Sequence, residues 1–242
     1  IPFAMNPNVV AIDGPAAGGK STTSRRLAER IDALYLDSGA TYRAMTLAAI
    51  RRGVAWSDAA SLGRLAEAID IRFRGRPTAQ TVYLDGDDVT SEIRSIDVTR
   101  QIHHVARTSE VRRALRVLQR EIASRHRRVV AEGRDMGTVV FPDAVCKVYL
   151  DASVEERARR RLAEETARGV AIDFETMKRD IVQRDRTDFE RDDSPLRIPD
   201  DAVVLDTTGL TVEEVVDRLV VMVEPKLIDS QQPDSAQTDH VV

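Results

Sequence analysis

A chain of 242 residues with 42% hydrophobic content can bury a full core, and its length suits one α/β domain carrying an insertion or small subdomain. A formal net charge of -4 argues against general nucleic-acid binding, and the lone Cys146 excludes an intrachain disulfide or a cysteine zinc cluster, in keeping with a reducing compartment. No apolar run approaches the roughly 18 residues of a membrane span and the start lacks an export pattern, so a cytoplasmic protein off the membrane is expected.

Ile1-Pro2-Phe3-Ala4 precedes Met5 and is set aside as a remnant outside the natural start. Asn8 to Asp13 reads as a buried strand. It runs into Gly14-Pro15-Ala16-Ala17-Gly18-Gly19-Lys20-Ser21, which fits G-x-x-x-x-G-K-[ST], and then into a helix from Ser21 to Ile31. Ala33 to Leu36 is a second short strand, ending at Asp37-Ser38-Gly39, with a helix expected from Thr41 to Arg52. Asp37, Ser38, Tyr42 and Arg43 thus gather at a strand end, where open α/β sheets hold ligands, although Asp37-Ser38 also reads as a plain helix cap.

From residue 57 to 128 the pattern changes. A helix over Ser57 to Ile69 precedes a hairpin of Ile71–Arg74 and Thr81–Leu84, then two helices marked by Val98, Ile102 and Val105 and by Val111, Leu115, Leu118 and Ile122. The whole reads as an insertion between two layers of the main sheet. His103 and His104 have no carboxylate or cysteine at ligand spacing, so they are expected in core or surface unless His103 faces the cleft.

Arg128 to Glu132 is a third strand, and Gly133-Arg134-Asp135-Met136-Gly137-Thr138 follows, with glycines that let Arg134 and Asp135 be aimed into a cleft. Cys146 to Leu150 is a fourth strand. Ser153 and Glu156 suggest a capping box on a helix carrying Arg157, Arg159, Arg160 and Arg161 as far as Arg168-Gly169, and a further helix spans Phe174 to Phe189 among Arg184, Asp185, Arg186, Asp188 and Arg191. These charges fit either a solvated face or a mobile lid, about 157–172, closing over transferring phosphates. A fifth strand (Ala202 to Leu205), a helix from Thr211 to about Glu224 with a capping box at Thr211 and Glu214, and a polar tail over 229–242 expected to be disordered complete the chain.

Strands alternating with helices give a three-layer P-loop α/β sandwich on a five-stranded parallel sheet, built from 5–56 and 129–228. Gly14, Pro15, Ala16, Ala17, Gly18 and Gly19 wrap the ATP phosphates, with the backbone N–H groups other than that of Pro15 facing them; Lys20 adds a charge, the Ser21 hydroxyl ligates Mg²⁺, and Thr22 beside it belongs to the same ATP-binding set. Arg157 and Arg161, one helical turn apart, are the ATP-side lid candidates. No Asn-Lys-x-Asp guanine reader occurs, nor a long hydrophobic run closed by Asp-Glu; Val129 to Glu132 comes nearest. Arginine outnumbers lysine 32 to 4, partly a compositional bias, but the arginines near the cleft suggest a second anionic substrate. A small-molecule or nucleotide kinase follows, with a nucleotide-gated switch as the reading from another class.

The phosphate loop, Leu36-Asp37-Ser38-Gly39-Ala40-Thr41-Tyr42-Arg43 and Gly133-Arg134-Asp135-Met136-Gly137-Thr138-Val139-Val140-Phe141-Pro142-Asp143-Ala144 together resemble the bacterial cytidylate kinases, across nearly the whole chain. The resemblance implies γ-phosphoryl transfer from ATP to CMP or dCMP with Mg²⁺, and it makes 57–128 the monophosphate-binding subdomain. It implies that Arg43, Arg134 and Arg191 hold the acceptor 5′-phosphate, that Arg184 and Asp188 hold the sugar, and that Ser38, Arg112 and Asp135 read the base, with Asp37 and Tyr42 beside them. Lys20, Arg43, Arg134 and Arg191 would share the catalytic work. One position departs: where the family has a cytosine-contacting serine, this chain has His103, which leaves UMP or a metabolite acid open as acceptor. A monomer is expected because no long apolar stripe is left over.

Overall fold

The computed structural model describes residues 8–167 and 169–227; residues 1–4, expected to be a remnant, Arg168 and the tail expected to be disordered lie outside the described residues. The main sheet takes β1 (Val9–Asp13), β2 (Leu34–Asp37), β6 (Val129–Gly133), β7 (Cys146–Asp151) and β8 (Val203–Asp206) in the order β2-β6-β1-β7-β8, every neighbouring pair parallel. Every residue of β1 and β6 is buried, which is why both read as unbroken apolar runs rather than alternating ones. At the far edge β8 is exposed at Val203 and Val204, since an edge strand has helices to cover it on fewer sides.

Helices flank the sheet on both faces. On one, α1 (Lys20–Arg30) and α8 (Val212–Val223) bury Leu27, Ala28, Val215 and Leu219 against Val10, Ile12 and Val148. On the other, Ile122 and Ala123 of α5 (Ser109–Ser124) meet Val9, Ala11, Leu36 and Val129. Burying each such aliphatic side chain is worth about 1.5–3 kcal/mol, so these two seams fix the layering. Helix α2 (Ser38–Arg51) starts three residues before the expected Thr41, because Asp37 accepts the Ala40 N–H at 3.0 Å and caps it.

The stretch 57–128 holds α3 (Ala59–Ala68), β3 (Ile71–Arg74), β4 (Thr81–Leu84), β5 (Asp87–Asp88), α4 (Ile96–Arg107) and α5. Its strands do not lie between layers of the main sheet. They form a separate antiparallel sheet, β3-β4-β5, whose short third strand is too polar to stand out in the sequence. Met45 and Ala48 of α2, Leu62 and Leu65 of α3, Leu84, Val98, Val105, Val111 and Leu115 close one core around it.

After β7 come α6 (Val154–Ala167) and α7 (Phe174–Phe189), packed together through Ala158, Met177 and Ile181. Ser153 Oγ accepts the Glu156 N–H at 3.2 Å, but the capping box is only half made: Glu156 turns its carboxylate to Arg159 and Arg160, and the Ser153 N–H goes to Thr208. The box at Thr211 and Glu214 forms fully. No helix among the described residues is long and apolar enough to cross a membrane.

Candidate active site

The carboxyl ends of β1, β2 and β6 and the loops after them meet at one rim. Gly14 leaves β1 at φ 151°, and a Cβ there would lie 2.1 Å from the Leu150 carbonyl oxygen, so only glycine lets the phosphate loop pass β7. Lys20 is buried and donates from Nζ to the Pro15 carbonyl at 2.6 Å. Burial, and then the positive charge of Arg134, push its pKa well down, with Glu132 pulling the other way. An arriving phosphate would supply the missing counter-charge.

Ser21 donates its hydroxyl to Glu132 Oε1 at 2.6 Å, and Tyr35 donates to the same oxygen at 2.7 Å. The other oxygen, Oε2, is buried with no hydrogen-bond partner among the described residues. Burial and the neighbouring Asp37, its register partner on β2, raise the Glu132 pKa. The Ser21 hydroxyl, the orphaned Glu132 oxygen and Asp37 are hard oxygen donors of the kind Mg²⁺ takes, and the residues fit that ion. Among the described residues no group of three His, Cys, Asp or Glu could hold a metal by itself, so nucleotide and water would complete the shell.

Asp13, at the end of β1, ties the phosphate loop to the segment after β6. Its carboxylate accepts the N–H groups of Met136 (2.9 Å) and Gly137 (2.7 Å) at the head of one π-helical turn, Met136–Val140. Burial nevertheless raises its pKa to about 6. Gly133 lets this segment crowd α2, since a Cβ there would stand 2.6 Å from Ser38 Oγ. Arg134 and Asp135 then take separate partners. Arg134 Nε donates to Asp188 Oδ2 of α7 at 2.7 Å, and Asp135 Oδ2 accepts Arg112 Nη2 of α5 at 2.5 Å.

The Arg112–Asp135 pair is buried on both sides, with side chains 3% and 8% exposed, and the Arg112 guanidinium lies 5.5 Å over the Tyr42 ring. Burial raises the Asp135 pKa, while Arg112, Arg191 and Arg116 hold it back. Arg191 donates to the carbonyls of Asp193 and Ser194 and stands 4.0 Å from Asp188. Arg43 donates to Thr99 Oγ1 at 3.0 Å and Ile93 O at 3.4 Å, which sets it against α4. Arg184 is exposed to solvent, but crowding by protein atoms and repulsion from Arg134, opposed by Asp188 and helped by Arg43 and Arg161, push its pKa down to about 10. This cluster can bind an anion between several guanidiniums while two carboxylates fix their directions.

The cytidylate kinase family model matches residues 10–225. The chain belongs to the cytidylate kinase family. It is 45% identical to a cytidylate kinase of Geobacillus sp. (strain WCH70) over 92% of this chain and 100% of that one, and 46% identical to one of Mycolicibacterium paratuberculosis over 87% and 92%. Among solved structures TT1252 from Thermus thermophilus shares the fold, with a TM-score of 0.51 and 18% identity over 92% of this chain and 99% of that one. Its activity is that of the family, ATP-dependent phosphoryl transfer to CMP.

Against this family background, three arginines of α6 stand in three different situations. Arg157 is buried beneath the phosphate loop, where it bonds the carbonyls of Ala152 and Ala16. Arg161 is paired with Glu164 and Glu165 on the side of α6. Arg160, which helical phase does not single out, holds Thr207 and also reaches the loop: a Cβ on Gly19 would be 3.4 Å from its Nη1. His103 is exposed on α4, tilted against His104, which in turn stacks on Trp56 at 5.3 Å, and its Nδ1 lies 2.8 Å from Arg100 O. Glu132, Asp13 and Asp185 were not singled out as site residues. Glu132 and Asp13 each carry a signal, as the carboxylate closing an apolar strand; Asp185 carries none.

Proposed function

We propose that this enzyme uses Mg-ATP to phosphorylate CMP and dCMP, with the two nucleotides on either side of the rim formed by β1, β2 and β6. Gly14 to Thr22 hold the donor phosphates, with Lys20 on the transferring group and Ser21 and Glu132 facing Mg²⁺. The ion would neutralise charge on the donor phosphates as the bond to the leaving oxygen breaks. Arg43, Arg134 and Arg191 take the acceptor phosphate, Arg184 and Asp188 the sugar, and Ser38, Arg112 and Asp135 the base. The acceptor oxygen is already ionised, so alignment and charge neutralisation suffice without a general base.

What carries the base assignment is the buried Arg112–Asp135 pair beside Tyr42. A carboxylate accepts from the cytosine amino group, and a guanidinium donates to the ring nitrogen and carbonyl edge. Uracil would turn an oxygen toward Asp135, an unpaired contact costing about 1–3 kcal/mol. We place 57–128 as the acceptor-binding subdomain, about 157–172 as the lid, and the enzyme as a cytoplasmic monomer with no nucleic-acid or membrane partner.

The test is ADP production from Mg-ATP with CMP, dCMP, UMP, AMP, GMP and shikimate, beside a control lacking acceptor. Strong turnover with CMP and dCMP alone is expected. Comparable turnover with UMP would show that replacing the family's serine by His103 has loosened base selection, and activity in the control alone would remove the acceptor assignment.

A further inference from the structure

Helix α7 carries two carboxylates three residues apart that serve different loops. Asp188 receives Arg134 from the segment after β6. Asp185 accepts the Ala16 N–H of the phosphate loop at 3.3 Å and Arg157 Nη1 of α6 at 2.6 Å. That same Arg157 nitrogen donates to the Ala16 carbonyl at 3.2 Å, while its Nε holds the Ala152 carbonyl at 3.0 Å. One ion pair, with side chains 6% and 13% exposed, therefore grips both backbone polar groups of a single phosphate-loop residue, Ala16. The next residue, Ala17, packs on the apolar cluster that joins α6 to α7.

A buried pair of this kind is a poor source of stability, because the cost of desolvating two charges offsets their attraction. Its geometry is informative instead. Nothing in the sequence reading set Asp185 apart from the charge run around it. Asp185, Asp188 and Arg184 ride on one rigid turn of helix, so α7 cannot shift at the acceptor side without pulling at Ala16.

We propose that Asp185 is a positioning residue which, with Arg157, sets the shape of the phosphate loop and couples acceptor binding to ATP binding through α7. The coupling half rests on the reading of Arg134, Arg184 and Asp188 as acceptor contacts; the loop-shaping half does not. Bound acceptor draws α7 inward, Asp185 and Arg157 move with it, and the loop's N–H groups come to bear on the donor phosphates. By reciprocity, bound ATP tightens the acceptor by the same factor.

The experiment is calorimetric titration of the full chain with the non-hydrolysable AMP-PNP and Mg²⁺, with and without saturating CMP, on wild type, Asp185→Asn and Arg157→Lys. Asparagine keeps the shape and can still accept the Ala16 N–H, but it loses the ion pair; lysine keeps the charge and loses the fork. AMP-PNP affinity without CMP is expected to fall about tenfold in each variant. In wild type CMP should tighten AMP-PNP at least fivefold, within the usual range of coupling, and this factor should drop toward one in both variants. Lower thermal stability with affinity and coupling unchanged would overturn the proposal and leave a merely structural pair. A wild type without coupling would instead remove the acceptor link, and AMP-PNP affinity alone would then decide loop shaping. Should Asp185→Asn not fold, Arg157→Lys yields the same readouts.

Discussion

The proposed donor and acceptor halves of the cleft are built by opposite means. The phosphate loop is contiguous, formed by backbone N–H groups and one buried lysine between β1 and α1. The acceptor half would be assembled from side chains on α2, α5, α7 and the segments after β6 and α7, with the guanidiniums of Arg43, Arg112, Arg134 and Arg191 already engaged with a carboxylate, hydroxyl or carbonyl. Backbone preorganisation costs little when phosphate arrives, because the loop is already shaped and its N–H partners are few and long, Asp185 for Ala16 at 3.3 Å and the Pro15 carbonyl for Gly18 at 3.4 Å. Side-chain pairs must be exchanged for substrate, which makes the acceptor half the more selective and the more easily retuned.

Three changes break or sharpen that contrast. Lys20→Met should cost most, lowering kcat by about 10²–10³-fold while CD and thermal unfolding stay close to wild type, since the methionine fills the same buried space. Asp135→Asn should act on selectivity: the amide can donate as well as accept, so the preference for CMP over UMP in kcat/KM falls by about tenfold, while KM for ATP changes little. Outright removal by alanine would strand the buried Arg112 charge, at about 3–5 kcal/mol, and confuse folding with recognition. The smallest effect concerns the joint between the two halves. Asp13 has a folded pKa of about 6 against an ordinary 3.8, so between those values the folded state holds the extra proton. Its contribution to stability therefore falls as pH rises from about 4 to about 6, with Glu132 acting in the same direction. Thermal melts across that window should show a flatter slope for Asp13→Asn than for wild type.

The same contrast explains what the sequence made legible. The parallel sheet and the phosphate loop could be read because buried strands are continuous apolar runs and the loop is a local pattern. Arg134 and Asp135 stood out through their flanking glycines. Glu132 and Asp13 showed only as carboxylates closing apolar strands, and Asp185 not at all, because their roles arise only when residues far apart in the chain are brought within hydrogen-bond distance. Arg160 and Arg161 illustrate the limit of periodicity: adjacent on one helix, they differ by a rotation that only the packing of α6 on α7 fixes. Asp37 was open between cap and ligand contact, and it caps α2 while also standing beside Glu132.

The strand order has a consequence for how the chain is made. β1 lies between β6 and β7, and β2 has β6 as its neighbour, so Val9 meets Val129 and Leu34 meets the same residue. As the polypeptide leaves the ribosome, neither of the first two strands of the main sheet can find its neighbour until the whole stretch 57–128 has been synthesised. That stretch, with α2, has an apolar core of its own to close in the meantime. The nascent protein would thus assemble the subdomain proposed to bind the acceptor before its phosphate loop has a sheet to stand on.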